Sequence, residues 1–145
     1  MSEKFEYYRN KSLEQLKLIN PKWAYGENRN KILDIALKGR NKEYRIFLVN
    51  TSKLIENSIF ADVELDFLFN GKEKNDMRIT RILSRWDNNE FVDPPTICID
   101  QTQNSIISFR DGQHRAKLSY FLGLEKIPVG IHNEDIVLIK KSLHF

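Results

Sequence analysis

The chain has 145 residues, 41% apolar and 30% charged, with a net charge of +3 and one cysteine. That is the composition of a single soluble domain with a real core. It excludes an internal disulfide, and no apolar run approaches the roughly 20 residues of a membrane span. The charge is uneven: residues 1–45 hold 11 Lys+Arg against 6 Asp+Glu, and the remainder holds 12 against 14. A basic N-terminal third can meet a nucleic-acid backbone. The two signs interleave there, however, so a solvated face of two mixed-charge helices is the favoured reading. The first residues lack a signal peptide's apolar stretch, and a lone cysteine points to the cytoplasm.

In chain order, Ser12 with Gln15 three residues on resembles a capping box, and Leu13, Leu16 and Ile19 share one helical face before Pro21 ends the run. A second helix is expected from about Asn30, with Ile32, Leu33, Ala36 and Leu37 as its stripe and Gly39 as its C-terminal cap. Tyr44–Val49 reads as the first strand. The segment from Phe60 to Asn75 is ambiguous, because Leu68 breaks an otherwise strand-like alternation. Ile79, Ile82, Leu83 and Trp86 mark a clear amphipathic helix.

Pro94-Pro95 forces extended chain into a short β-branched strand, Thr96–Ile99. A polar turn from Asp100 to Asn104 then predicts a hairpin with the strand Ser105–Phe109. A helix leaves the turn that follows and ends at Gly123. Ile127–Ile131 and Asp135–Lys140 read as two more strands. There is no internal repeat. The sum is a small α/β or α+β domain.

The turn Asp111-Gly112-Gln113-His114-Arg115 carries the chemistry. It joins a strand to a helix N-terminus, where the first N–H groups have no internal partner and the dipole favours an anion. Gly112 allows close approach to the backbone, and Arg115 offers a fork of donors suited to phosphate. His114 can donate to a phosphate or act as a general acid or base. Singly, each has a plainer reading: Asp111 as the helix cap, Arg115 in an ion pair with Asp111 or Glu125, His114 as an orienting residue. Together they point to an anion site. An Arg115 that grips phosphate predicts that Arg115→Ala weakens binding and leaves the fold intact. No Walker or Rossmann glycine pattern and no nucleophile elbow is present. Cys98 is expected as a buried, inert thiol and Trp86 as core. Trp23 and Tyr25 are expected to pack over the N-terminal helices rather than to stack on a base. His132 and His144 are too isolated in sequence to suggest a metal site.

The run from Asp111 to Arg115, then Ala116 and Leu118, then Leu122-Gly123-Leu124-Glu125-Lys126-Ile127-Pro128-Val129, resembles the ParB/sulfiredoxin superfamily. Pro94–Asp100 is similar to the strand that precedes this turn in the family, and Tyr44–Ile55 to its opening strand and turn. The likeness covers about residues 44–132, with residues 1–43 as a helical extension and 44–145 as the domain. The Gly-Gln-His-Arg form is that of members named for a DGQHR domain. The resemblance implies a compact α/β fold and a nucleotide-phosphate site at Gly112, Gln113, His114 and Arg115.

Departures from the family narrow the reading. Gln113 stands where sulfiredoxins place their cysteine, so sulfinic acid reduction is not expected. ParB partition proteins follow this domain with a DNA-binding module, whereas here about a dozen residues follow His132. A centromere clamp is therefore not expected unless the N-terminal helices supply the DNA contact. The branch that resembles free serine kinases carries an acidic residue after the first strand, for which Glu56 is the nearest candidate. These likenesses imply hydrolysis of a nucleoside triphosphate or diphosphate, or transfer of its phosphoryl group, with Mg2+ held by Glu56 or Asp111. The alternatives are a ParB-like nuclease and a non-catalytic DNA-associated or protein-interaction module of a phage or plasmid system. The lack of a clear carboxylate cluster argues against a two-metal nuclease.

Overall fold

The computed structural model describes residues 2–38, 43–61, 63–100, 102 and 106–145. Four strands form one mixed sheet: β1 (Tyr44–Asn50), β2 (Thr96–Ile99), β3 (Ile107–Asp111) and β4 (Lys126–His132), in the order β1-β4-β2-β3. β4 runs antiparallel to β1 and parallel to β2, and β2 and β3 form the expected antiparallel hairpin. Ile127 to Ile131 are buried without a break, as befits a central strand covered on both faces.

The helices divide the interior into three clusters. On one sheet face, Ile97, Ile107, Ile127, Val129 and Ile131 meet α4 (Thr51–Glu56), α6 (Gln113–Phe121) and α7 (Ile136–Leu143) through Leu54, Ala116, Ile139 and Leu143. Beside it, Ile79, Leu83 and Trp86 of α5 (Glu73–Asp87) pack with Leu118 and Leu122 of α6. That second cluster also takes Tyr8 of α1 (Ser2–Arg9) and Leu16 of α2 (Leu13–Leu16). On the other sheet face, Tyr44 joins Ala24, Ile32 and Leu37, the last from α3 (Ile35–Lys38). Residues from the N-terminal extension thus enter the same cores as the sheet and α5.

The Ser12–Gln15 capping box is present in full, yet α2 stops at Leu16. The helix expected from Asn30 is broken. A 3-10 turn spans Gly26–Lys31, and α3 starts only at Ile35. The cause is tertiary: the N–H groups of Leu33 and Asp34 donate to the two Asp93 carboxylate oxygens at 2.9 Å each, which holds the chain extended between the turns. Gly39 lies outside the described residues, as do several of the Asp100–Asn104 turn and Ser105, the expected start of β3. Between Phe60 and Asn75 the described residues form no strand, and α5 begins as early as Glu73.

The expected last strand, Asp135–Lys140, is a helix. Ile139 and Leu143, four apart, are buried, while Val137 and Leu138 stay exposed. That is a helical stripe, which a four-residue apolar run cannot distinguish from a strand. Among the described residues, no helix is long and apolar enough to cross a membrane.

Candidate functional site

The turn lies where the sequence places it. β3 ends at Asp111, Gly112 is the N-cap with φ of 94°, and α6 starts at Gln113. Asp111 is therefore not the N-cap, and the glycine that is has no side chain to cap α6. The close approach at Gly112 is made by the protein itself: a Cβ there would stand 2.8 Å from Pro95 Cα. The left-handed backbone and the packed proline together require glycine.

Gly112 to Arg115 form one wall of a cleft of about 340 Å3, with Arg110 and Asp111 beside them. His114 is buried at 8% exposure and faces this cleft. Gln113 lines it too, and its buried Oε1 makes no hydrogen bond among the described residues. Arg115 is largely committed to the protein. It donates to the carbonyls of Asp93 (2.6 Å) and Pro94 (3.3 Å) and pairs with Asp111 at 3.2 Å. These contacts weigh against the expectation that Arg115→Ala leaves the fold intact, because the guanidinium braces the Asp93–Pro95 loop against α6. Arg110 is committed as well, by an ion pair with Asp34, a hydrogen bond to Thr96 Oγ1 (3.1 Å) and the Tyr44 ring 5.2 Å away. Burial pushes the Tyr44 hydroxyl pKa up, against the pull of Arg110.

The opposite wall is α5, and the sequence reading missed it. Lys74, Arg78 and Arg81 line the same cleft, with Val63 and Ile82 between the walls. Their spacing of four and three puts them on one helical face, spread over about 10 Å at 1.5 Å per residue. All three are exposed, and none forms an ion pair among the described residues. The apolar stripe that identified this helix drew attention to its buried side. The signal on the other side was there, as three cations at helical spacing with no acid at i±4 to answer them.

A buried lysine joins the two walls. Lys117 of α6 is fully buried and donates to Asn75 Oδ1 at 2.8 Å. The Asn75 amide donates to Leu68 O and to Asp76 Oδ1, and the Asp76 carboxylate accepts the N–H groups of Asn70 and Gly71. Burial pushes the Lys117 pKa down, opposed by the nearby Asp76 and Glu64 charges. The network ties the first turn of α5 to α6 and so sets the width of the cleft.

Glu56 stands elsewhere. It is exposed at the end of α4 and does not line the cleft. Asp111 is, among the described residues, the one carboxylate in the cleft lining. Among the described residues, no three His, Cys, Asp or Glu side chains converge as a metal site. Cys98 is half-buried rather than buried, with Sγ 3.4 Å from Ser108 Oγ, because it faces a groove between β2, β3 and β4. Trp86 is core, edge-on to Trp23 and hydrogen-bonded to Lys22 O at 2.9 Å. No family model, curated protein or solved structure matches this chain.

Proposed function

We propose that this protein binds the phosphates of a nucleoside di- or triphosphate in the α5–α6 cleft, in the manner of the ParB/sulfiredoxin superfamily that its Asp111–Arg115 turn resembles. One observation carries the reading. Three exposed cations without an ion pair among the described residues line a cleft with a helix N-terminus whose N-cap is a glycine. Like charges gathered on one helix face repel one another, and an anion between the walls relieves that cost. Charge-assisted contacts to the guanidinium groups and the positive end of the α6 dipole hold it.

The associated activity is hydrolysis or phosphoryl transfer. Such a reaction asks the protein mainly to position the phosphates and neutralise charge, and the exposed cations of α5 support that reading. His114, at the helix start, is the group in the cleft able to move a proton. Among the described residues of the lining, Asp111 is the one carboxylate and Arg115 holds it, so those residues do not by themselves fit a resident magnesium ion. No step is assigned to a metal, nor to Glu56 outside the cleft. The same shortage of carboxylates weighs against a two-metal nuclease.

Calorimetric titration with tripolyphosphate and nucleoside triphosphates tests the reading, with phosphate release as the activity readout. Binding that is lost in Arg78→Glu, with unfolding unchanged, is the expected result. No binding of any polyphosphate by the wild type would overturn it.

A further inference from the structure

The cleft does not end at Lys74. A second pocket of about 420 Å3 adjoins it and shares Val63 and Lys74 with it. The chemistry of the walls changes at that boundary. Beyond Lys74 the lining residues include Phe60, Val63, Asn70 and Glu64. Its further cation, Lys72, is already neutralised by Glu64 at 2.5 Å. The Lys72 ammonium also holds the Glu64 carboxyl below its usual pKa range, so Glu64 stays an ionised acceptor. Among the described residues, the two adjoining pockets therefore differ: one is strongly cationic, and the other adds only the Lys72–Glu64 pair to the shared Lys74 and includes an aromatic residue, Phe60.

We propose that the pocket bounded by Phe60, Glu64 and Asn70 holds the nucleoside of a nucleotide whose phosphates lie between α5 and α6. The proposal rests on the phosphate reading above. The base lies against Phe60, which also packs on Phe109 (ring centroids 5.1 Å apart). Asn70, whose Oδ1 already accepts the Lys72 N–H at 2.9 Å, offers its NH2 group to the base edge, and Glu64 accepts from the sugar hydroxyls. A polynucleotide strand fits the charge pattern less well. Its phosphates would continue past Lys74 onto the Glu64 carboxylate, where the cationic track stops.

The test is a ratio of two affinities, so effects on the phosphate end cancel. Each protein is titrated with a panel of the four ribonucleoside triphosphates and with inorganic tripolyphosphate. The wild type is expected to bind at least one nucleotide more tightly than tripolyphosphate, by about five- to a hundredfold, as base–aromatic stacking provides. Phe60→Ala is expected to collapse that ratio toward one and leave tripolyphosphate affinity unchanged. Phe60→Tyr, which keeps the ring, should retain the ratio, and the exposed Glu64→Gln should lower it without affecting folding. A wild-type ratio of one for every nucleotide overturns the nucleoside pocket while leaving the phosphate site standing. An equal loss for both probes in Phe60→Ala overturns it too. A short single-stranded DNA that outcompetes every mononucleotide would make the occupant a strand instead. If tripolyphosphate itself fails to bind, the underlying phosphate reading falls, and this inference with it.

Discussion

The two walls of the cleft use cations in different ways. On the β3–α6 wall, Arg110 and Arg115 are bound to Asp34, Thr96, Asp111 and two loop carbonyls, so their charge is largely spent on holding the protein together. On the α5 wall, Lys74, Arg78 and Arg81 touch no acid among the described residues and project from a helix whose other face is core. A motif arginine can therefore be mainly a brace, while cations outside any motif are the ones available to a ligand.

The sharpest way to break this comparison is charge reversal on the α5 wall. The double variant Arg78→Glu, Arg81→Glu is expected to weaken tripolyphosphate binding by roughly a thousandfold or more, at about 1.5–3 kcal/mol per charge-assisted contact. Its melting temperature should not fall below the wild type's, since neither side chain is buried or, among the described residues, ion-paired, and the reversal removes like-charge repulsion along α5. Calorimetric titration beside a thermal melt reads both quantities. Retained affinity would return the site to the β3–α6 wall.

Arg115→Ala should give the opposite profile. Two carbonyls lose their donor and the Asp93–Pro95 loop loses its brace, so stability falls by about 2 kcal/mol in urea unfolding. Gly112→Ala sharpens the same point by another route. A Cβ at φ of 94° meets Pro95 backbone at 2.8 Å, so a loss on the order of 1–3 kcal/mol is expected. An Arg115→Ala protein that keeps its stability but loses the ligand would make the two walls equivalent.

A smaller effect comes from far outside the cleft. Tyr8 is buried and donates to Asp87 at 2.8 Å, and its pKa is pushed up from 10.0 to about 12, first by burial and then by Asp87. The folded value lies above the unfolded one, so this contribution is complete below pH 10 and is lost as the pH rises toward 12. Urea midpoints should show a loss on the order of 2 kcal/mol across that window, and Tyr8→Phe should flatten it. The smallest expected effect is that of Glu56→Gln. An exposed carboxylate outside the cleft should leave tripolyphosphate affinity unchanged, whatever its part in turnover, and a titration beside a phosphate-release assay separates the two.

Short-range patterns were readable where local energetics decides the outcome. The capping box at Ser12, the β2–β3 hairpin, the Gly112 turn and the α5 stripe all depend on residues within a few positions of one another. The errors came where a distant partner intervenes or a pattern is short. Asp93 reaches back some sixty residues to break the helix expected from Asn30. A four-residue apolar run at the C-terminus carried no usable period, and it became α7 by laying Ile139 and Leu143 onto the sheet.

By itself, then, the sequence determined the strand–turn–helix at Gly112, because φ preference and helix capping are local properties. It also determined that Lys74, Arg78 and Arg81 share a face, since helical period alone ensures that. Only the tertiary structure decided that this face looks across at Gly112, and that Arg115 is occupied while Arg78 is not. The buried Lys117–Asn75–Asp76 network links the two helices across about forty residues of chain, and no local pattern specifies such a pairing. Long-range packing sets which charges meet a protein partner and which remain open to a ligand.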